Sequence, residues 1–162
     1  MKNTTSKISI LLLAFVLLLS ACRGDIARSS DGSLSVDTTV SQQELQDAIT
    51  ASIADPLIKD LTVSLQSGYI LVMGQRQRLN DSSKTDTLNF RLDLGVSNGQ
   101  LTATISNATL DGVPVEQNRV DHWNQTIASR IVIIGKKRPN SNLQSVNITT
   151  EAVSMSWTVS KP

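Results

Sequence analysis

The chain has 162 residues, with 15 basic and 14 acidic side chains, one His, one Cys and an aromatic content of only 3%. Near-neutrality gives no electrostatic case for binding nucleic acid, and the scarcity of aromatic rings argues against stacking platforms for bases or sugars. A lone Cys excludes a disulfide within the chain, so the fold must be held by packing alone.

The N-terminus has three parts in a meaningful order. Lys2 and Lys7 supply positive charge, residues 8–19 form an almost unbroken apolar run, and Leu19-Ser20-Ala21-Cys22 places small side chains before the Cys. The run suits the apolar part of an export signal and is short for a membrane-spanning helix, which needs roughly 20 residues. Small residues followed by Cys form the bacterial lipobox, in which a peptidase cuts before a thioether-acylated Cys. Residues 1–21 are therefore expected to be removed, with Cys22 becoming the lipid-modified first residue. The mature chain would keep about 140 residues, enough for one domain, and a net charge of about −1. Its expected location is outside the cytoplasm, anchored to a bacterial membrane by lipid.

Residues 22–39 are polar and rich in Ser, Asp and Thr, and they read as the acylated Cys and a flexible tether. Arg23-Gly24-Asp25 within it is an integrin-type tripeptide, a sequence common by chance. The α+β domain is expected over residues 40–162. Ser41-Gln42-Gln43-Glu44 is a capping box, with Val40 and Leu45 placed as a hydrophobic staple. Leu45, Ala48, Ile49 and Ile53 recur at helical spacing, and Asp55-Pro56 ends the helix.

Strands follow. Leu61, Val63 and Leu65 alternate with polar residues, Ser67-Gly68 turns the chain, and a second strand starts at Tyr69 with apolar residues on both faces. The clearest strand carries Leu88, Phe90, Leu92, Leu94 and Val96 on one face, with Thr87, Asn89, Arg91 and Asp93 on the other. Asn98-Gly99 is a strong hairpin signal, because a type I′ turn needs positive φ at both central positions. Leu101, Ala103 and Ile105 start the returning strand, whose phase slips near Asn107-Ala108 as at a bulge. Asp111-Gly112 turns the chain again.

A second helix carries Val120, Trp123, Ile127, Ile131 and Ile134 in one apolar stripe. Gly135 suits a left-handed cap, Lys136, Lys137 and Arg138 complement the helix dipole, and Pro139 stops the helix. Val146 and Ile148, then Val153, Met155, Trp157 and Val159, form a closing hairpin. The order α-β-β-β-β-α-β-β predicts an α+β domain, with a single curved antiparallel sheet of about six strands covered by two helices.

Ser97-Asn98-Gly99-Gln100-Leu101, then Ala108-Thr109-Leu110-Asp111-Gly112-Val113-Pro114-Val115, then a helix and a closing hairpin, resemble the LmeA-like phospholipid-binding domains of bacterial envelopes. Those are relatives of the tubular lipid-binding (TULIP) proteins. The resemblance extends over residues 40–159 and implies a curved sheet wrapped on a helix, with a groove for acyl chains.

Little chemistry accompanies this. His122 has Asp121 beside it in sequence but no nucleophile motif, and the acidic residues are scattered singly. The expectation is a non-enzymatic protein without metal or cofactor. Lys136-Lys137-Arg138 reads as a helix cap or as a contact for anionic lipid headgroups. Two functions stand. One is a membrane-anchored lipoprotein holding a lipid or other apolar ligand between sheet and helix, with Leu94, Trp123, Met155 and Trp157 as lining residues. The other is a module that docks to another envelope protein without a small ligand.

Overall fold

The computed structural model describes residues 26–28, 34–135 and 139–159. The export signal, Cys22 with its neighbouring tripeptide, and Lys136-Lys137-Arg138 lie outside these described residues. In chain order the elements are β1 (Ile26–Arg28), β2 (Leu34–Ser41), α1 (Gln42–Ile53), β3 (Ile58–Gln66), β4 (Tyr69–Gln77), β5 (Thr85–Ser97), β6 (Gln100–Leu110), β7 (Val113–Pro114), α2 (Gln117–Ile134), β8 (Ser141–Ile148) and β9 (Ala152–Val159). Among the described residues no helix is long and apolar enough to cross a membrane.

The fold is α+β and antiparallel throughout, with the expected sequence of helices and long strands. The single sheet does not hold. Strands β3-β4-β5-β6-β7 form one sheet and β1-β2-β9-β8 form another. The two meet where the tips of the long hairpins reach β8: Gly68 N–H donates to Ile148 O (3.0 Å) and Leu143 N–H donates to Gly99 O (2.9 Å). The second sheet gains two of its strands because residues 26–28 and 34–39, both expected as tether, are extended and paired. Leu34 to Ser41 pair in register with Val159 to Ala152 of β9. The period-2 pattern is Leu34, Val36, Thr38, Val40, and Thr38 joins it because its Oγ1 accepts the Trp157 indole N–H at 3.0 Å.

Local signals explain most boundaries. At α1 the Ser41 hydroxyl accepts Glu44 N–H (3.3 Å) and the Glu44 carboxylate accepts Ser41 N–H (2.9 Å), which is the capping box in full. Asn98-Gly99 and Asp111-Gly112 all have positive φ, as mirror-image hairpin turns require. The register steps from Asn89↔Thr109 to Arg91↔Ser106, so β6 carries one extra residue where Asn107 takes positive φ.

Gly135 departs from its expected role. Its φ is −69°, so no left-handed cap is formed. It sits in a tight place instead: a Cβ there would displace the methyl end of the buried Met155 side chain and crowd Ile131 O at 3.1 Å. Gly135→Ala should therefore destabilise by about 1–3 kcal/mol through overpacking. Thermal denaturation of Gly135→Ala, Met155→Val and the double variant checks this. Met155→Val should recover part of the loss, and additive effects would show that the two residues do not compete for space.

One core joins both sheets and both helices. Leu45 and Ile49 of α1, Val63, Ile70 and Leu92 of the larger sheet, Ile127 and Ile131 of α2, and Val153 and Met155 of β9 are all buried within it. Leu88, Phe90 and Leu92 face this core as the alternation required; Leu94 is half-buried at its margin and Val96 is exposed. Each helix also closes one sheet edge with an amide side chain. Val63 N–H of β3 donates to Gln46 Oε1 (3.3 Å), and Ile105 N–H of β6 donates to Asn124 Oδ1 (2.8 Å).

Candidate functional site

The last turns of α2 carry Ile131, Val132, Ile133 and Ile134 in succession. Consecutive helical residues point about 100° apart, so one inward face cannot take all four. Ile131 fills the core, Val132 and Ile134 are half-buried, and Ile133 is left 74% exposed. Two grooves flank it. The first, about 340 Å³, lies between α2 and the sheets and is lined by Leu101 of β6, Ala128, Val132 and Ile133 of α2, and Trp157 of β9, with Gly99, Gln100 and Ser129 at its border. The second, about 300 Å³, lies between the helices on Ala48, Ala51, Ile133 and Ile134, with Glu44, Asp47 and Arg130 around it. Both have mostly apolar linings and both are open to solvent.

The expected lining residues separate. Trp157 borders the first groove although only 3% of its surface is exposed, and its indole is fixed by the bond to Thr38. Trp123 and Met155 are core side chains, at 3% and 0% exposure. Trp123 stacks on Phe90 at 6.1 Å between ring centroids, and Met155 lies under Gly135. Leu94 packs against the core from β5. Sequence reasoning missed Leu101, Ala128, Val132 and Ile133. The visible signal was the four-residue apolar run, which exceeds what a one-faced helix can bury.

A second apolar surface lies on the outer face of the larger sheet. Leu71 and Met73 of β4 are 39% and 53% exposed. Beside them Arg91 lies 4.2 Å over the Tyr69 ring and pairs with Asp93 at 2.6 Å.

The strongest buried charge cluster is structural. The Asp55 side chain, 8% exposed, accepts Arg76 Nε at 2.8 Å and Leu57 N–H at 3.0 Å, and Arg119 Nη2 lies 3.6 Å away. Burial pushes its pKa up. The Arg76 hydrogen bond, the Leu57 amide and the charges of Arg76 and Arg119 together outweigh that and hold it below the ordinary 3.8. Arg119 also lies 5.2 Å over Trp123, so the cluster ties the α1–β3 connection to β4 and α2.

His122 is exposed, and Asp121 accepts from Gln117 Nε2 at 2.8 Å. Among the described residues no three His, Cys, Asp or Glu gather as metal ligands would. Compared with protein families, characterised proteins and solved structures, the chain finds no match.

Proposed function

We propose that the chain is a non-enzymatic envelope lipoprotein, anchored through acylated Cys22, whose domain holds one acyl chain or a similarly slender apolar ligand in the groove between α2 and the sheets. The observation that carries this reading is the 340 Å³ groove with Leu101, Val132, Ile133 and Trp157 in its lining, in a chain whose N-terminus reads as a lipobox. Its volume falls at the low end of ligand sites, which run roughly from 300 to 1,000 Å³. Burying about ten methylenes at ~0.8 kcal/mol each gives roughly 8 kcal/mol before ordering costs, so binding weaker than about 1 μM is expected.

Trp123→Phe leaves Trp157 as the single indole. Titrating that variant with fatty acid or dispersed phospholipid should give a saturable change in Trp157 emission. Ile133→Asp, at an exposed position, should weaken binding about tenfold or more without unfolding the domain. An emission unchanged by every common envelope lipid would remove the ligand and leave the alternative, a protein-docking module. The Leu71 and Met73 stripe favours that second reading. The anchoring part has its own check: Cys22→Ser should abolish membrane retention and the added lipid mass, and a free thiol in the mature wild-type protein would refute it.

A further inference from the structure

We infer that the Ile133 ridge at the end of α2 rests on the same bilayer surface that receives the lipid on Cys22. The inference rests on the acylation of Cys22 proposed above and goes beyond it by assigning the face of the domain that meets the membrane.

The first argument is reach. Strand β1 begins at Ile26, four residue steps from Cys22. At roughly 3.3–3.6 Å per step the backbone spans at most about 14 Å. A domain of some 125 residues has a radius of gyration of about 14 Å and is therefore roughly 35 Å across. The tether is too short for the domain to hang free or present any side it likes.

The second argument is where that short tether lands. Ile26 pairs with Val36, Val36 pairs with Trp157, and Trp157 pairs with Leu143, so all four occupy one rung of the smaller sheet. From β1 to β9 is two strand spacings, about 10 Å. Trp157 and Ile133 both line the first groove. The anchor thus enters beside the part of the domain where Ile133 stands out from the core, flanked by half-buried Val132 and Ile134. Glu44, Asp47 and Arg130 around the second groove sum to −1, so among the described residues the surface offered to a bilayer there is its apolar side chains. Exposed apolar character alone does not select this place, because Leu79 is 78% exposed too. Leu79 lies beyond the far end of β4, whose near end at Gly68 touches β8, and nine strand residues put about 30 Å between those ends.

That pair supplies the experiment. Acylation blocks the only native thiol, so Ile133→Cys or Leu79→Cys in the full acylated protein can be labelled singly with an environment-sensitive fluorophore. The labelled proteins are reconstituted in phosphatidylcholine vesicles carrying nitroxide-labelled lipid. The label at 133 should shift to the blue and lose most of its emission to the quencher, while the label at 79 should stay aqueous. A long Gly-Ser insert between Cys22 and Ile26 should reduce quenching at 133 severalfold. Equal quenching at both positions, or none at 133 in protein whose lipid is confirmed by intact mass, overturns the inference and leaves the anchor standing. A free Cys22 thiol overturns both. Energy transfer between labelled copies in place of quenching would make the ridge a self-association contact and also overturn it.

Discussion

Replacing Trp123 with Ala is expected to cost about 3–5 kcal/mol, the usual range for truncating a large buried aromatic. The indole is 3% exposed, stacks on Phe90 of β5 and is covered by Arg119 from the preceding turn of its own helix. Alanine would leave a hole between α2 and the larger sheet that rigid strands cannot close, and the Phe90 ring would lose its partner. Urea unfolding followed by circular dichroism measures the loss as a shift in midpoint at constant slope. Trp123→Phe should cost much less, since a ring still meets Phe90. A loss below about 1 kcal/mol for Trp123→Ala would mean that the helix repacks freely and that this contact does not fix it.

Asp55→Ala is expected to cost about 2–3 kcal/mol, less than the 3–5 typical of breaking a fully buried pair, because Arg119 can turn to water. The carboxylate is the common acceptor for Arg76, Arg119 and the Leu57 amide, so its removal strands a largely buried Arg76. The same site predicts an acid sensitivity. Its folded pKa is lowered, so the stabilisation is fully present above the unfolded value of about 3.9 and is lost as pH falls through the folded value. Wild type should therefore lose stability below about pH 4 more steeply than Asp55→Asn. Parallel slopes for the two proteins between neutral pH and pH 2–3 would show that Asp55 contributes no such linkage.

Local signals in the sequence translated well wherever the physics was local. The Ser41–Glu44 box closes within one turn of helix, Asn98-Gly99 sets its own backbone, and the alternation from Leu88 to Leu92 needs only a buried side to make sense. Sheet partnership is a different kind of fact. The pattern of β9 declares a strand but not its neighbours, and β2 lies more than a hundred residues away in a segment that composition marks as tether. Leu34, Val36 and Val40 do alternate there, yet Thr38 reads as polar until Trp157 is known to donate to it. The groove was hidden for a related reason. Met155 and Trp123 look like adaptable lining, but both are consumed by the core, and Ile133 was obscured by counting Ile134 into a single stripe.

The β2–β9 pairing also sets a timetable for folding. β9 is the inner strand between β2 and β8, and it is the last described element to be synthesised. Until residues 152–159 emerge, β2 has no long partner, β8 has no sheet, and Val40 faces a core without its floor. Strand pairs this distant in sequence close slowly, because the intervening chain must give up its freedom before any contact compensates. The smaller sheet therefore stays open until residues 152–159 have left the ribosome, whereas the larger one, built of consecutive hairpins, can pair before that.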